Sequence, residues 1–209
     1  MKIGVFGGTF DPIHNGHLAI AEEVRTQLTL AEVWFVPTGK PWMKAGRTIT
    51  PWEQRLQMAE LAVAGKTYFK VSNLEASRPG PSYTIDTITE LKAQFKGAEL
   101  YFIMGLDSLE SLPLWKEAAR LITLCRLVAV PRPGVTPPDL KEMEKALPGI
   151  KKNLVVLEKP NLDISATEIR AKVARGESIA RLVPLKVTEY IKKNKLYLND
   201  IPAPLPSLG

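Results

Sequence analysis

Short apolar runs rich in β-branched and aromatic residues alternate with helical patterns along almost the whole chain. Strands separated by helices of this length predict a parallel sheet with right-handed crossovers and helices on both faces, which is an α/β fold. The predicted strands are Lys2–Phe6, Glu32–Val36, Tyr68–Val71, Leu100–Met104, Leu124–Val130 and Asn153–Leu157. The predicted helices are Leu18–Val24, Pro51–Ala59, about 84–95, and two that begin near Ser165 and Pro184. Thr50 is the expected N-cap of the second helix, with Pro51 at its first position and Glu53 completing a capping box.

The domain organisation follows from length and composition. The chain has 209 residues, of which 45% are hydrophobic and 24% charged, as in a globular protein with a sizeable core. No internal repeat or composition break marks a second domain. We therefore expect a single domain over residues 1–197, followed by a flexible, proline-rich tail over 198–209.

Charge and cysteine content restrict the partners and the compartment. A formal net charge of +6 favours anionic ligands, but the lysines are scattered, so nucleic acid is not an expected partner. No apolar run approaches the ~20 residues that span a bilayer, so no membrane partner is expected. The single cysteine, Cys125, excludes an internal disulfide and fits a reducing, cytoplasmic location, with Cys125 in the core. A homo-oligomer is left open.

Both histidines of the chain, His14 and His17, lie in one segment that follows the first predicted strand, Gly7-Gly8-Thr9-Phe10-Asp11-Pro12-Ile13-His14-Asn15-Gly16-His17. A strand, a glycine turn and a helix start form an anion site, because the free N–H groups and the helix dipole point at the ligand. The imidazoles add two donors there. A zinc site would need three or four ligands, so we expect no metal bound by protein side chains. Chance capping by Asn15 or Asp11 would not explain the glycines and both histidines together.

A second helix start lies near the other end of the chain, in Ile164-Ser165-Ala166-Thr167-Glu168-Ile169-Arg170. Ser165 and Glu168 have the spacing of a capping box, which explains these two residues structurally. Thr167 and Arg170 lie in the same first turn and are left unexplained by capping. A hydroxyl and a guanidinium at a helix start suit a polyphosphate. By itself this segment leaves capping and anion binding equally open.

Taken together, the two segments resemble the two signatures of the nucleotidylyltransferase superfamily, whose Rossmann-like, doubly wound domain transfers a nucleotidyl group from a nucleoside triphosphate. The resemblance implies that His14, His17 and Arg170 stabilise the triphosphate, assisted by Ser165 and Thr167. Ala166 departs from the serine that is usual there. The further ATP-binding residues it suggests are Gly7, Gly8, Thr9, Phe10, Gly105, Asp107, Arg132 and Ile164. For Asp107 the alternative is helix capping, and for Arg132 it is exposure to water.

Between these segments lie Glu75-Ala76-Ser77-Arg78-Pro79-Gly80-Pro81-Ser82-Tyr83-Thr84-Ile85-Asp86-Thr87 and, after Gly105-Leu106-Asp107, Trp115. Here the chain resembles bacterial nicotinate mononucleotide adenylyltransferase, from Met1 to about Tyr197. The resemblance implies that Trp115 contacts the nicotinate ring of the substrate. It also implies that the carboxylate on this ring lies near Ser82, Tyr83 and Thr84, and that Thr9 and Lys44 are further substrate-binding residues. Trp42 and Met43 depart from the family's usual proline and histidine. The alternatives are capping for Ser82 and Thr84 and core packing for Trp115.

The function implied by the resemblance is adenylyl transfer from ATP to nicotinate mononucleotide in NAD biosynthesis, with Mg²⁺ held mainly by substrate and water. Because Thr84 opens a predicted helix, a carboxylate there would gain roughly 0.3–1 kcal/mol over a neutral amide. The alternatives are an adenylyltransferase for another phosphate acceptor (nicotinamide mononucleotide or phosphopantetheine), a non-catalytic nucleotide-binding regulator, and a basic RNA-binding module.

Overall fold

A computed structural model describes residues 1–40, 49–76, 78, 80–131, 133–159 and 163–200. Its strands are β1 (Lys2–Gly8), β2 (Glu32–Pro37), β3 (Phe69–Val71), β4 (Glu99–Gly105), β5 (Arg126–Val130) and β6 (Leu154–Val156). The helices are α1 (Asn15–Gln27), α2 (Trp52–Val63), α3 (Thr84–Gln94), α4 (Ser108–Ser111), α5 (Ala118–Leu124), α6 (Leu140–Ala146), α7 (Ile150–Asn153), α8 (Ala166–Ala174) and α9 (Leu185–Lys193), with a 3₁₀ turn at Leu112–Leu114.

The six strands form one parallel sheet in the order β3-β2-β1-β4-β5-β6. From β1 the chain proceeds outward to β3 on one side, and from β4 it proceeds outward to β6 on the other. The strand order therefore reverses between β1 and β4, where α/β sheets open a crevice at their carboxyl ends. The predicted α/β, doubly wound, Rossmann-like fold is confirmed.

The sheet separates two apolar cores. Alternate residues of β1 point to opposite faces, so that Phe6 packs into one core and Val5 into the other. The first core contains buried residues of α1, α2, α8 and α9, and the second those of α3 to α7. Cys125 is buried in the second core, as expected. Within the described residues, no helix is long and apolar enough to cross a membrane.

Two details of the helices differ from the sequence predictions. The predicted N-cap at Thr50 is wrong, because α2 is preceded by Pro51 in an extended conformation (ψ 142°), without a side-chain cap. The Thr50 carbonyl instead accepts a hydrogen bond from Arg55 Nε at 2.9 Å. Helices α4 to α7 were not predicted, because their four to seven residues are too few to reveal a helical period.

Candidate active site

Two adjoining clefts open at the carboxyl ends of β1 and β4. The larger cleft, of about 530 Å³, has the size of an ordinary ligand site. Among the residues that line it are Gly7, Gly8, Thr9, Phe10, His14, His17, Gly105, Asp107, Ile164, Ser165, Thr167 and Arg170. Twelve of the thirteen residues predicted to bind ATP therefore surround one cleft. The remaining one, Arg132, lies outside the described residues.

The smaller cleft, of about 250 Å³, lies on the other side of the end of β1. Gly7 and Gly8 are the last two residues of that strand, paired with Val36 and Pro37, so the glycine turn expected from the sequence is wrong. The smaller cleft is lined by five of the residues predicted to bind substrate, namely Thr9, Ser82, Tyr83, Thr84 and Trp115. The sixth, Lys44, lies outside the described residues, as do Trp42 and Met43. The residues shared by both clefts are Gly7, Gly8, Thr9, Phe102, Ser108 and Trp115. Two ligand groups can therefore lie side by side across the end of β1.

The two histidines cap α1 reciprocally. His14 is the N-cap, and its Nδ1 accepts from the backbone N–H of His17, while the His17 Nδ1 accepts from the backbone N–H of His14 at 3.2 Å. The rings stack with centroids 3.6 Å apart. A neutral imidazole that accepts at Nδ1 carries its proton on Nε2. The capping box thus fixes both rings, which line the larger cleft, and capping by Asn15 or Asp11 was the wrong alternative.

Two glycines make this arrangement possible. A Cβ on Gly8 would lie 2.8 Å from the buried ring of Phe10, which also packs against His17. On Gly16, a Cβ would lie 3.0 Å from Nδ1 of His14 and 3.4 Å from Cβ of Ile164. The glycines therefore let the aromatic rings and the second motif approach the turn closely.

The start of α8 provides the opposite wall of the larger cleft. Ser165 Oγ caps the helix by accepting from the backbone N–H of Glu168 at 3.1 Å. The Glu168 carboxylate lies near Arg175 (3.5 Å) and Lys172 (3.6 Å) on the surface. Thr167 Oγ1 accepts from Nη2 of Arg170 at 3.3 Å. The prediction that Ser165 caps this helix is confirmed. Thr167 is hydrogen-bonded to the guanidinium of Arg170 in the same helical turn.

Arg170 joins the two sequence motifs directly. Its side chain is buried, with 4% of the residue exposed, and Nη1 donates to the backbone carbonyl of Asp11 at 2.8 Å. Nε donates to the carboxylate of Asp200. A buried guanidinium with a carboxylate partner and fixed donors is suited to contact a phosphate.

A second buried arginine fixes the segments that follow β1 and β2. Arg55, which is 1% exposed, donates to the carbonyls of Thr50 at 2.9 Å, Thr9 at 2.7 Å and Gly39 at 3.2 Å. Burial lowers the pKa of Arg55, and the nearby Asp11 carboxylate opposes this effect. The sequence analysis missed Arg55. Its position on the buried face of α2, with Met58, Ala59 and Ala62, was the available signal.

The smaller cleft contains the start of α3. Tyr83 is the N-cap residue, and its side chain makes no capping hydrogen bond. Ser82 is buried and joins two loops, because its Oγ accepts from Lys40 N at 3.2 Å and its own N–H donates to the Lys40 carbonyl. Capping by Ser82 or Thr84 is therefore the wrong alternative. The backbone N–H groups of the first turn can attract an anion.

An aromatic wall and two further charged residues complete the smaller cleft. Trp115 is half-buried, donates from Nε1 to Ser111 Oγ at 3.2 Å and packs edge-on against Phe102. Lys116 lies over the Tyr83 ring and 3.2 Å from a carboxylate oxygen of Asp86. Glu75 accepts from Thr87 Oγ1 at 2.6 Å and Gly39 N at 3.2 Å. The sequence analysis singled out neither Lys116 nor Glu75, because ordinary charged residues in a loop carry no distinguishing pattern.

Among the described residues, no group of three or more histidine, cysteine, aspartate or glutamate side chains is arranged to bind a metal ion. Asp107 is exposed at the larger cleft, and although it precedes α4, its side chain makes no capping hydrogen bond. Helix capping, the alternative reading of Asp107, is therefore wrong. A carboxylate in this position fits a Mg²⁺ ion held mostly by phosphate oxygens and water.

Comparison with known proteins agrees with this geometry. Residues 5–172 match the cytidylyltransferase-like family. A protein of Dehalococcoides mccartyi, named as a probable nicotinate-nucleotide adenylyltransferase, is 50% identical over 94% of this chain and 97% of its own. One with the same name from Thermomicrobium roseum is 42% identical over 99% of this chain and 96% of its own.

The chain belongs to the nicotinate-nucleotide adenylyltransferase family. This confirms the resemblance found in the sequence and identifies the chain as a nucleotidyltransferase. The solved structure of Plasmodium falciparum nicotinic acid mononucleotide adenylyltransferase complexed with NaAD has the same fold, with a TM-score of 0.76 and 20% identity over 94% of this chain and 97% of that one. The roles of individual residues in this member of the family stay predictions.

Proposed function

We propose that this chain transfers the adenylyl group of ATP to nicotinate mononucleotide, giving nicotinate adenine dinucleotide and pyrophosphate in NAD biosynthesis. The observation that carries the proposal is the hydrogen bond from Arg170 of the second motif to Asp11 of the first, which brings both motifs to the larger cleft. The smaller cleft beside it has an aromatic wall and contains the start of a helix. The larger cleft suits the triphosphate, and the smaller cleft suits the pyridine ring and its carboxylate.

The reaction proposed is a direct in-line displacement. An oxygen of the mononucleotide phosphate forms a bond to the α-phosphorus of ATP while the bond from that phosphorus to the α,β-bridging oxygen breaks, and pyrophosphate leaves. A phosphate monoester is already anionic near neutral pH, so the protein need not supply a base. The enzyme contributes positioning and charge stabilisation.

The donors at the larger cleft would stabilise the charge that develops on the phosphate oxygens. The capping box fixes the rings of His14 and His17, whose Nε2–H groups would donate to the phosphates, and Arg170 is fixed by its three hydrogen bonds. Donors held in place before the reaction need little reorganisation during it. Mg²⁺ bound to the triphosphate would neutralise further charge, with Asp107 as the nearby carboxylate.

A preference for the acid over the amide is part of the proposal. The α3 N-terminus favours a carboxylate by roughly 0.3–1 kcal/mol, which corresponds to about a two- to fivefold preference. Lys116 adds a positive charge at the same cleft. Glu75 carries the opposite charge, but its carboxylate accepts hydrogen bonds from Thr87 and Gly39.

The experiment that tests the function measures pyrophosphate release from ATP with nicotinate or nicotinamide mononucleotide, with Mg²⁺ and after its removal by EDTA. We expect fast release with the acid, slower release with the amide, and a loss in EDTA that added Mg²⁺ restores. Equal rates with both acceptors would contradict the selectivity but retain the reaction. If neither mononucleotide supports pyrophosphate release but phosphopantetheine does, phosphopantetheine would be the acceptor instead. The expected cytoplasmic location stays a prediction.

A further inference from the structure

The chain folds back toward the active site after α9. Lys195 and Tyr197 both adopt positive φ angles, 52° and 65°, and backbone N–H groups of this turn bond to carbonyls at the end of α9. Residues 198–200, which the sequence analysis assigned to a flexible tail, are described in the structure up to Asp200. We refer to residues 194–200 as the C-terminal turn. It supplies two side chains to the region where the motifs meet.

The first of these side chains is Tyr197. Its hydroxyl donates to Oδ1 of Asp11 at 2.8 Å, and Asp11 is only 3% exposed. Burial, and next the Asp11 carboxylate, raise the pKa of Tyr197, so the phenol keeps its proton and remains a donor. Because Asp11 lies in the first motif, the hydroxyl fixes the segment that leads into the histidine pair.

The second is Asp200, whose carboxylate accepts from Nε of Arg170. Nη1 of the same guanidinium donates to the Asp11 carbonyl and Nη2 to Thr167. Each Nη carries two hydrogens and uses one in these bonds, so the guanidinium keeps N–H groups for a phosphate. Asp200 therefore holds Arg170 at Nε without occupying its terminal nitrogens.

We propose that the C-terminal turn positions Arg170 for the triphosphate. Asp200 holds Nε of the guanidinium, and Tyr197 fixes Asp11, whose carbonyl accepts from Nη1. Both act through Arg170 and are positioning residues rather than catalytic ones. The inference rests on the proposed role of Arg170 in ATP binding and extends it to a segment outside both motifs. A guanidinium that loses one support keeps its charge but samples more orientations, which weakens directed hydrogen bonds to phosphate.

The test compares Tyr197→Phe and Asp200→Asn with the wild-type chain by steady-state kinetics and by calorimetric titration with ATP and Mg²⁺. Both variants preserve shape, and Asp200 is partly exposed, so its replacement leaves the core intact. We expect kcat/KM for ATP to fall about 5- to 20-fold and ATP affinity to fall in parallel. KM for nicotinate mononucleotide should stay within about twofold.

Two matched controls lie on α9. Tyr190→Phe also removes a hydroxyl, and Glu189→Gln removes an exposed carboxylate, and both are outside the clefts. These controls should behave as the wild-type chain does. Thermal unfolding of all four variants separates a loss of fold from a loss of orientation, since a change that only destabilises the fold would alter both substrates equally.

The decisive readout is a double-mutant cycle with Arg170→Ala. Without the guanidinium, Tyr197→Phe and Asp200→Asn should change ATP use by less than about twofold. The proposal would be overturned if the two substitutions caused their full loss of ATP use in the Arg170→Ala background. It would also be overturned if both single variants bound ATP as tightly as the wild-type chain. If the wild-type chain binds ATP but releases no pyrophosphate, the proposed function fails, and the calorimetric cycle still decides the positioning role. If it does not bind ATP, both proposals fail.

Discussion

The two clefts are built from different parts of the chain and carry different chemistry. The larger cleft takes most of its wall from two short segments, residues 7–17 and 163–170. Its imidazoles are fixed by hydrogen bonds within the first segment, and its guanidinium is fixed by bonds to Thr167, Asp11 and Asp200. The smaller cleft collects single residues from β1, β2, the segment before α3 and the turn at Trp115. In the proposed reaction, charge stabilisation would be concentrated in the larger cleft and acceptor recognition in the smaller one. Substitutions in the two clefts should separate turnover from acceptor affinity.

The largest expected effect is in the larger cleft. His17→Ala should lower kcat/KM by about 10²-fold or more, because it removes a preorganised donor. Steady-state pyrophosphate release measures this loss, and circular dichroism checks the fold. Near-normal turnover would contradict the assigned role of His17.

Two further replacements divide the roles of this imidazole. His17→Asn can keep an acceptor near the position of Nδ1 and lose the Nε2–H donor, whereas His17→Gln can place an amide donor near Nε2 and lose the cap. We expect the Asn variant to be as stable as the wild-type chain and as inactive as the Ala variant. The Gln variant should retain more activity and melt at a lower temperature. The reverse order would show that capping, rather than donation, is the main contribution.

Arg170→Ala should follow, with kcat/KM for ATP falling about 10-fold or more and the KM of the acceptor changing much less. The variant leaves the Asp200 carboxylate and the Asp11 carbonyl without this partner, so a lower melting temperature is also expected. Initial rates at varied ATP and at varied acceptor measure the split. An unchanged KM and kcat for ATP would remove Arg170 from the triphosphate site.

Trp115→Ala tests the opposite side of the comparison. Loss of the aromatic wall should raise the KM for nicotinate mononucleotide about 10-fold and affect ATP less. Trp115 also lines the larger cleft, so some effect on ATP is expected. Trp115→Phe should restore most of the acceptor affinity. Equal losses for both substrates would indicate that Trp115 has a packing role instead.

A smaller effect is expected at Lys116, which the sequence analysis did not assign. Lys116→Met removes a charge that is partly screened by solvent and paired with Asp86, so the preference for the acid over the amide should fall only about two- to fivefold. The ratio of kcat/KM values for the two mononucleotides measures it. Lys186→Met, at an exposed position on α9, is the control. An unchanged ratio would leave the helix N-terminus as the source of selectivity.

The same comparison explains which parts of the structure could be predicted. His14, His17 and Arg170 could be proposed because they lie in two short segments at predicted helix starts, which together resemble the signatures of a known superfamily. Arg55 and Glu75 depend on contacts with Gly39, whose position relative to them is set only when the sheet assembles. Tyr197 reaches Asp11 across 186 residues. The alternation of strands and helices predicted a parallel sheet with helices on both faces, whereas such long-range contacts have no local pattern.

The smallest expected effect lies outside both clefts. Burial raises the pKa of the Cys125 thiol to about 12, well above its ordinary value, so the reactive thiolate is scarce at pH 8. A thiol reagent should label the native chain very slowly and the denatured chain completely. Because Cys125 lies in the second core and lines neither cleft, Cys125→Ala should leave both KM values nearly unchanged and mainly lower the melting temperature. Rapid labelling of the native chain with loss of activity would show that this core opens in the folded chain and that the thiol affects the active site.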